Sequence, residues 1–337
     1  RLAFSVLVLS ALVMGIAFAV KGIYNSDVRK IARSVSVLLG KANINVEEEK
    51  IGDVAGKFVE RVSNTNISAT STTRIDTSAG AAVIKSDPKL VLEVAFISDI
   101  HVDIASLDRA ISKIKERNIN KVIVIGDMTN YGEVSYLKEV KKTLDESGLT
   151  YYTLPGDHDL AASAGPANFI EVFGKSNTIL DIEGYKFLLL DNSANFTELP
   201  PTTLTWFNDE VKDTDFVVLS QPLFTEGLNL PFAKMYMGST REDPSGTQLE
   251  NQQRVKSQRD ALLSSVRKSA VKAVIAGDHH KSNEVIDSIE KTLEHHTLGS
   301  IANELNGLPQ SLLQTPRFSI LNVYNDKTFK VEDVLID

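Results

Sequence analysis

The sequence predicts a layered α/β domain over residues 88–337. Three observations point to it. Short β-branched apolar runs alternate with helical stripes, loops bearing Asp and His follow the runs, and the C-terminal segments alternate like antiparallel strands.

Residues 91–97 are an apolar strand and 107–115 carry a helical stripe. Residues 121–125 are near-continuously β-branched, 134–144 are helical in period, and 150–154 form a third strand. A strand follows at 185–190, a helix at 202–211 around Trp206, and a strand at 216–219. Residues 222–252 lack a regular period and are too long for an ordinary connection, so they are a candidate lid. Met235, Tyr236 and Met237 then either cover a substrate or pack the segment onto the domain. A helix is expected at 254–268, a strand at 271–276, and strands at 318–323 and 329–335. His295 and His296 read as strand residues. Strands alternating with helices imply a sheet buried on both faces, and ligands of such sheets bind beyond the strands' C-terminal ends.

Ahead of the domain, residues 2–20 are apolar and uncharged between Arg1 and Lys21. A helix of that length spans about 28 Å, close to a hydrocarbon core. Residues 1–21 are therefore expected to be a transmembrane anchor or a signal peptide, Ala17-Phe18-Ala19 having the small-x-small form of a cleavage site. Residues 22–87 read as a helical stalk, striped at Tyr24, Val28, Ile31, Val35 and Leu38, then a Ser/Thr-rich linker. The expected location is membrane-anchored or exported, at the cell envelope. Lys and Arg are scattered in a chain of net charge −8, which argues against a nucleic-acid-binding face. With no cysteine in the chain, a metal would rest on His, Asp, Glu, Asn or Gln.

Four loops carry such groups: Asp99-Ile100-His101, Gly126-Asp127, Gly156-Asp157-His158-Asp159 and Gly277-Asp278-His279-His280. Residues two apart in an extended segment face one side, so Asp99 and His101 can serve one ion. A carboxylate between two ions can bridge them, and such pairs activate water and clamp phosphate oxygens.

The order SDIH, GDMTNYG, LPGDHD, LSQPL, AGDHH resembles the calcineurin-like metallophosphoesterase family over about residues 91–300. The family pattern is D-x-H, GD-x, GNH[DE], a His before a Pro, then GHxH. The resemblance implies a two-sheet sandwich flanked by helices and hydrolysis of a phosphodiester or monoester by a metal-activated water. Asp99, His101 and His280 match the first metal's ligands, Asp127 the bridging carboxylate, and His158 the proton donor, oriented by a neighbouring Asp. Asp159 supports the turn or orients a neighbour.

The second site departs from the pattern. Asp157 replaces an Asn, Ser220 or Gln221 replaces a His, and Asp278 replaces the first His of GHxH. Two divalent ions (Mn, Mg, Fe or Zn) are implied, the second in an all-oxygen site. Four carboxylates would bring such a centre near neutrality, favouring a singly charged diester or calling for trivalent iron. The substrate class is a small-molecule or lipid phosphate ester. The opposing expectation is a degenerate relative with a binding or structural role at the envelope.

Overall fold

The computed structural model describes residues 88–163, 165–239, 245–302 and 314–336. The apolar run, the stalk and the linker lie outside the described residues, as does Arg241, one of the two cations (with Lys281) that the sequence offers as a phosphate contact. Among the described residues no helix is long and apolar enough to cross a membrane.

The first sheet is built from β1 (Leu90–Ser98), β2 (Lys121–Ile125), β3 (Thr150–Leu154), β10 (Arg317–Tyr324) and β11 (Phe329–Leu335), in the order β11-β10-β1-β2-β3. The second holds β4 (Thr178–Ile182), β5 (Tyr185–Leu190), β6 (Phe216–Leu219), β7 (Ala273–Ala276), β8 (Asn283–Ile286) and β9 (Glu294–Thr297), in the order β4-β5-β6-β7-β9-β8. Strands β1, β2 and β3 run parallel, as do β5, β6, β7 and β9, while β10, β11, β4 and β8 join antiparallel.

Period-two side-chain alternation explains the layering. On β1, Leu92, Val94 and Phe96 enter a core shared with Phe187, Leu189, Phe216, Val218 and Ile275 of the second sheet. Ala95 and Ile97 turn the other way, against helices α1 (Ile104–Glu116), α2 (Val134–Ser147) and α3 (Ala167–Phe173). The outer face of the second sheet, with Leu188, Val217 and Val274, packs on α4 (Pro201–Glu210) and α5 (Thr247–Arg267) through Phe207, Val255 and Leu262. The central strands are thus buried on both faces, which is why β2, β6 and β7 read as continuous apolar runs. The two-sheet α/β sandwich expected from the resemblance is the observed architecture.

Local signals set the helix ends. The Asp103 carboxylate caps α1 by accepting from Ser106 N at 2.9 Å, and α2 stops at Gly148, whose φ of 72° suits a left-handed cap. Helix α5 starts at Thr247, inside the segment expected to be irregular. Its first turns (TQLENQQ) carry one bulky apolar residue and show little stripe. Among the described residues of that segment, Leu223, Phe224, Phe232 and Met237 are buried. Met237 is buried in the outer core and its N–H donates to the Pro222 carbonyl at 3.0 Å. The Tyr236 ring lies under the Arg259 guanidinium, 4.5 Å from its centroid. For Met237, packing rather than substrate cover is what the structure shows.

Candidate metal centre

The strand C-termini converge. Asp99 and His101 follow β1, Asp127 follows β2, Asp157 and His158 follow β3, Ser220 and Gln221 follow β6, and Asp278 and His280 follow β7. Nine described non-glycine residues have positive φ, and six of them (Asp99, His101, Val102, Asp127, Asp278 and His280) sit in these loops. Such backbone costs on the order of 1 kcal/mol each, and its concentration here marks a functional site.

One ligand-capable atom from each of Asp99, His101, Asp127 and His280 lies within 4.8 Å of the others, a group that could hold a metal ion. His101 Nδ1 faces Asn130 Oδ1 at 3.0 Å. Since that oxygen only accepts, Nδ1 carries the proton and Nε2 keeps its lone pair for a metal. That Nε2 lies 3.3 Å from His280 Nε2 and 3.7 Å from Asp127 Oδ2. His280 Nε2 in turn is 3.2 Å from Asp99 Oδ1 and 3.9 Å from Asp127 Oδ2. Despite that proximity, Asp99 Oδ1 is buried without a hydrogen bond. A buried carboxylate oxygen whose near neighbour is an imidazole nitrogen at 3.2 Å fits a cation better than it fits apolar packing. Ser98 Oγ donates to Asp99 Oδ2, and Ser300 Oγ donates to the Asp99 carbonyl at 2.7 Å, which fixes that carboxylate.

Asp127 lies between the two halves of the site. Its Oδ1 accepts from the His158 N–H at 3.1 Å, and with Asp157 and His158 it forms a second group able to hold a metal. Asp157, Asp278, Ser220 and Gln221 join Asp127 around a tight recess, together with Gly126 and Gly156. Ser220 Oγ and Gln221 Oε1 are buried there without partners, so the structure gives both of the alternative ligands an orphaned oxygen.

Electrostatics follow from this crowding. Burial pushes Asp127 up, but His280, His101 and His158 outweigh it and hold the carboxyl well below its usual range. Burial, with Asp127 beside it, raises Asp157 to about 7, and burial with three neighbouring carboxylates raises Asp278 well above normal. Burial would lower His280, yet Asp99 and Asp127 raise it to about 10. His101 is lowered, chiefly by burial. The field at the centre attracts positive charge.

His158 is exposed, and its Nδ1 donates to the Asn130 carbonyl at 2.9 Å. The orienting group is therefore a backbone carbonyl, not the neighbouring Asp that the resemblance implies. Against the effect of burial, Asp127 and Asp157 raise His158 above its ordinary value. Asp159 is fully buried and accepts from Met128 N at 3.0 Å, Thr129 N at 2.9 Å, Thr129 Oγ1 at 2.9 Å and Gly156 N at 3.0 Å. It supports the turn and ties the Asp127 loop to the Asp157 loop.

Sequence reasoning offered Asn130 only as a substrate contact and missed Ser98, Asn192 and Asn195, polar residues that hold the ligands. Asn130 braces both His101 and His158, and Ser98 holds Asp99. Asn195 Nδ2 donates to Asp157 Oδ2 at 3.0 Å, while Asn192 clamps the Gln221 backbone at 2.8 and 3.0 Å. The cluster of Asn in DNSAN after β5 was the available signal. His279, between Asp278 and His280, turns away. Its Nε2 donates to the Met235 carbonyl at 2.7 Å, and burial lowers it to about 4.

Fold and site define a class: a two-sheet α/β protein with Asp and His loops gathered at parallel strand ends, where divalent ions can be held. The calcineurin-like phosphoesterase model matches residues 92–282, more than half the chain, and the chain belongs to that family. The family acts on phosphate esters and typically binds a dimetal centre. No curated protein matches the chain. Similar solved structures include a dimetal phosphatase from Danio rerio (14% identity, 73% of this chain and 98% of that chain, TM-score 0.47). Others are TT1561 of Thermus thermophilus (14%, 73% and 100%, TM-score 0.48) and purple acid phosphatase PPD1 from yellow lupin (11%, 72% and 51%, TM-score 0.46).

Proposed function

We propose that the protein hydrolyses a phosphate ester, with Asp99, His101, Asp127 and His280 holding one divalent ion and Asp127 bridging to a second near Asp157, Gln221 and Asp278. The observation that carries this reading is the convergence of the first four side chains within 4.8 Å, with His158 5.0 Å from His101 between ring centroids. Divalent ions bound there (Mn, Mg, Fe or Zn) would activate a water and neutralise charge on the phosphate. Attack of water forms a new P–O bond and breaks the bond to the leaving oxygen; the water releases a proton to solvent, and protonated His158 gives its Nε2 proton to the leaving oxygen. The Asn130 carbonyl holds the ring for this by occupying Nδ1, and the Asp127 and Asp157 carboxylates raise His158 above its ordinary value, which favours the protonated form. Four carboxylates around the centre disfavour a dianion, which favours a phosphodiester over a monoester.

The division into a membrane-directed segment at 1–21, a stalk and linker at 22–87 and a hydrolytic domain at 88–337 belongs to the same proposal. The apolar run supports an anchored or exported protein and, with it, a lipid or other envelope phosphate ester. A second reading, binding without turnover, draws on the three departures at the second position. Alanine at Asp99 and at His158 separates the two readings. Hydrolysis requires metal loss in the first, and retained metal with lost turnover in the second. Turnover unchanged in His158→Ala would contradict the proposed donor.

A further inference from the structure

We propose that the second position is an oxygen-only site for a hard divalent cation, set up by Asn195, which orients its ligands without touching the ion. The inference rests on the two-ion reading above and deepens it. Asp127, Asp157, Asp278, Ser220 and Gln221 line the recess, whereas His158, which lies within reach of Asp127 and Asp157, is not among the residues lining it. The Ser220 and Gln221 side chains lie in residues 1% and 2% exposed, and each presents an oxygen with no hydrogen-bond partner. Carboxylate, amide and hydroxyl oxygens suit Mg²⁺, Mn²⁺ or Ca²⁺, whereas imidazole-rich sites suit Zn²⁺. The first position, with two histidines, therefore differs in kind from the second.

Polarity passes through Asn195 in one direction. A cation-bound Asp157 carboxylate can only accept, so Asn195 presents its NH₂ there, at 3.0 Å. Its Oδ1 then faces the other way and must receive a donor, supplied by Gln221 Nε2 at 2.9 Å. With its NH₂ spent on Asn195, Gln221 turns Oε1 into the recess. The Gln221 backbone cannot swing to undo this, because Asn192 pairs with both its N–H and its C=O. Asn195 is thus a positioning residue for two ligands at once, and it selects Gln221 Oε1 as a ligand alongside Ser220 Oγ.

The test is metal binding by the full-length chain, read by Mn²⁺ paramagnetic resonance and by metal content after dialysis. Two ions are expected, and excess Mg²⁺ should displace one Mn²⁺ while leaving the ion at the histidine site. Asn195→Leu should weaken the displaceable Mn²⁺ by about 10–100-fold, the usual effect of removing an outer partner, with the other ion unchanged. Asn195→Asp, which still accepts from Gln221 but repels Asp157, should weaken it as well. Asp278→Asn should also lose affinity at the displaceable position only. Retention of the first ion shows that each variant is folded. Equal resistance of both ions to Mg²⁺, or unchanged Mn²⁺ affinity in Asn195→Leu and Asn195→Asp, overturns the proposal. Hydrolysis is not the readout. A displaceable second ion without turnover would overturn the hydrolytic reading alone, and turnover with no such ion would overturn this inference alone.

Discussion

At the residue scale, Gly156 tolerates little change. A Cβ there would lie 2.0 Å from Asp127 Oδ1 and 2.2 Å from Asp127 N, so the β3 loop reaches the bridging carboxylate only because position 156 has no side chain. Gly156→Ala should destabilise the fold by about 1–3 kcal/mol or more, through overpacking against backbone that cannot yield, and should release metal. A denaturant midpoint measured with metal analysis checks both. Asp159→Ala should cost a similar amount, because it strands the buried N–H groups of Met128, Thr129 and Gly156 together. His158→Ala touches neither network. It should leave stability and metal content near wild type while lowering kcat by about 10²–10⁴-fold, the range for losing a positioned acid.

At the element scale, the buried strands were the most legible part of the chain. Residues 121–125, 150–154, 185–190, 216–219 and 329–335 fold as their patterns predict, residue for residue. Strands β4 and β8 and helix α3 were not legible, being short and mixed in polarity, with their apolar faces defined only by the neighbours they meet. The site divides in the same way. Its ligands could be read because Asp and His at successive strand ends are unusual in sequence alone. Asn192, Asn195 and the bracing role of Asn130 could not, because they depend on partners far along the chain: Asn195 lies 38 residues from Asp157.

The β8–β9 hairpin carries its own pH dependence. His295 Nε2 donates to Asp287 Oδ2 at 3.0 Å, Arg267 Nε sits 3.0 Å from the same carboxylate, and Phe224 stacks on the imidazole at 4.7 Å. Burial lowers His295 to about 4, although Asp287 pulls it upward. Between pH 6.5 and 4 the unfolded chain therefore binds the proton that the folded chain refuses, so stability falls as pH falls through that window. At completion the loss is about 3 kcal/mol. Asp287, held down to about 2 by donors that outweigh its burial, adds a second loss only below the ordinary carboxylate range. His295→Gln should flatten the slope of unfolding free energy from pH 6.5 to 4 by roughly one proton's worth, as read by denaturant titrations across that range.

At the scale of the whole molecule, two sheets share one apolar core and direct their parallel strand ends to one place, where the four carboxylates Asp99, Asp127, Asp157 and Asp278 collect. Bound cations relieve that repulsion, so chelation should lower the melting temperature and metal should restore it. Ion at 100 times its Kd adds about 2.7 kcal/mol. Calorimetry with and without chelator reads the effect, and an unchanged melting temperature would argue against ions seated among these carboxylates.

The central claim is metal-dependent phosphoester hydrolysis at this centre. Its most direct test is an assay of the full-length chain, stripped and reloaded with Mn²⁺, Mg²⁺, Fe²⁺ or Zn²⁺, on aryl phosphate diesters and monoesters beside Asp99→Ala. The account predicts hydrolysis that needs added ion, favours the diester and disappears in Asp99→Ala together with bound metal. Absence of hydrolysis with every ion and both esters, or activity surviving in Asp99→Ala, would contradict it.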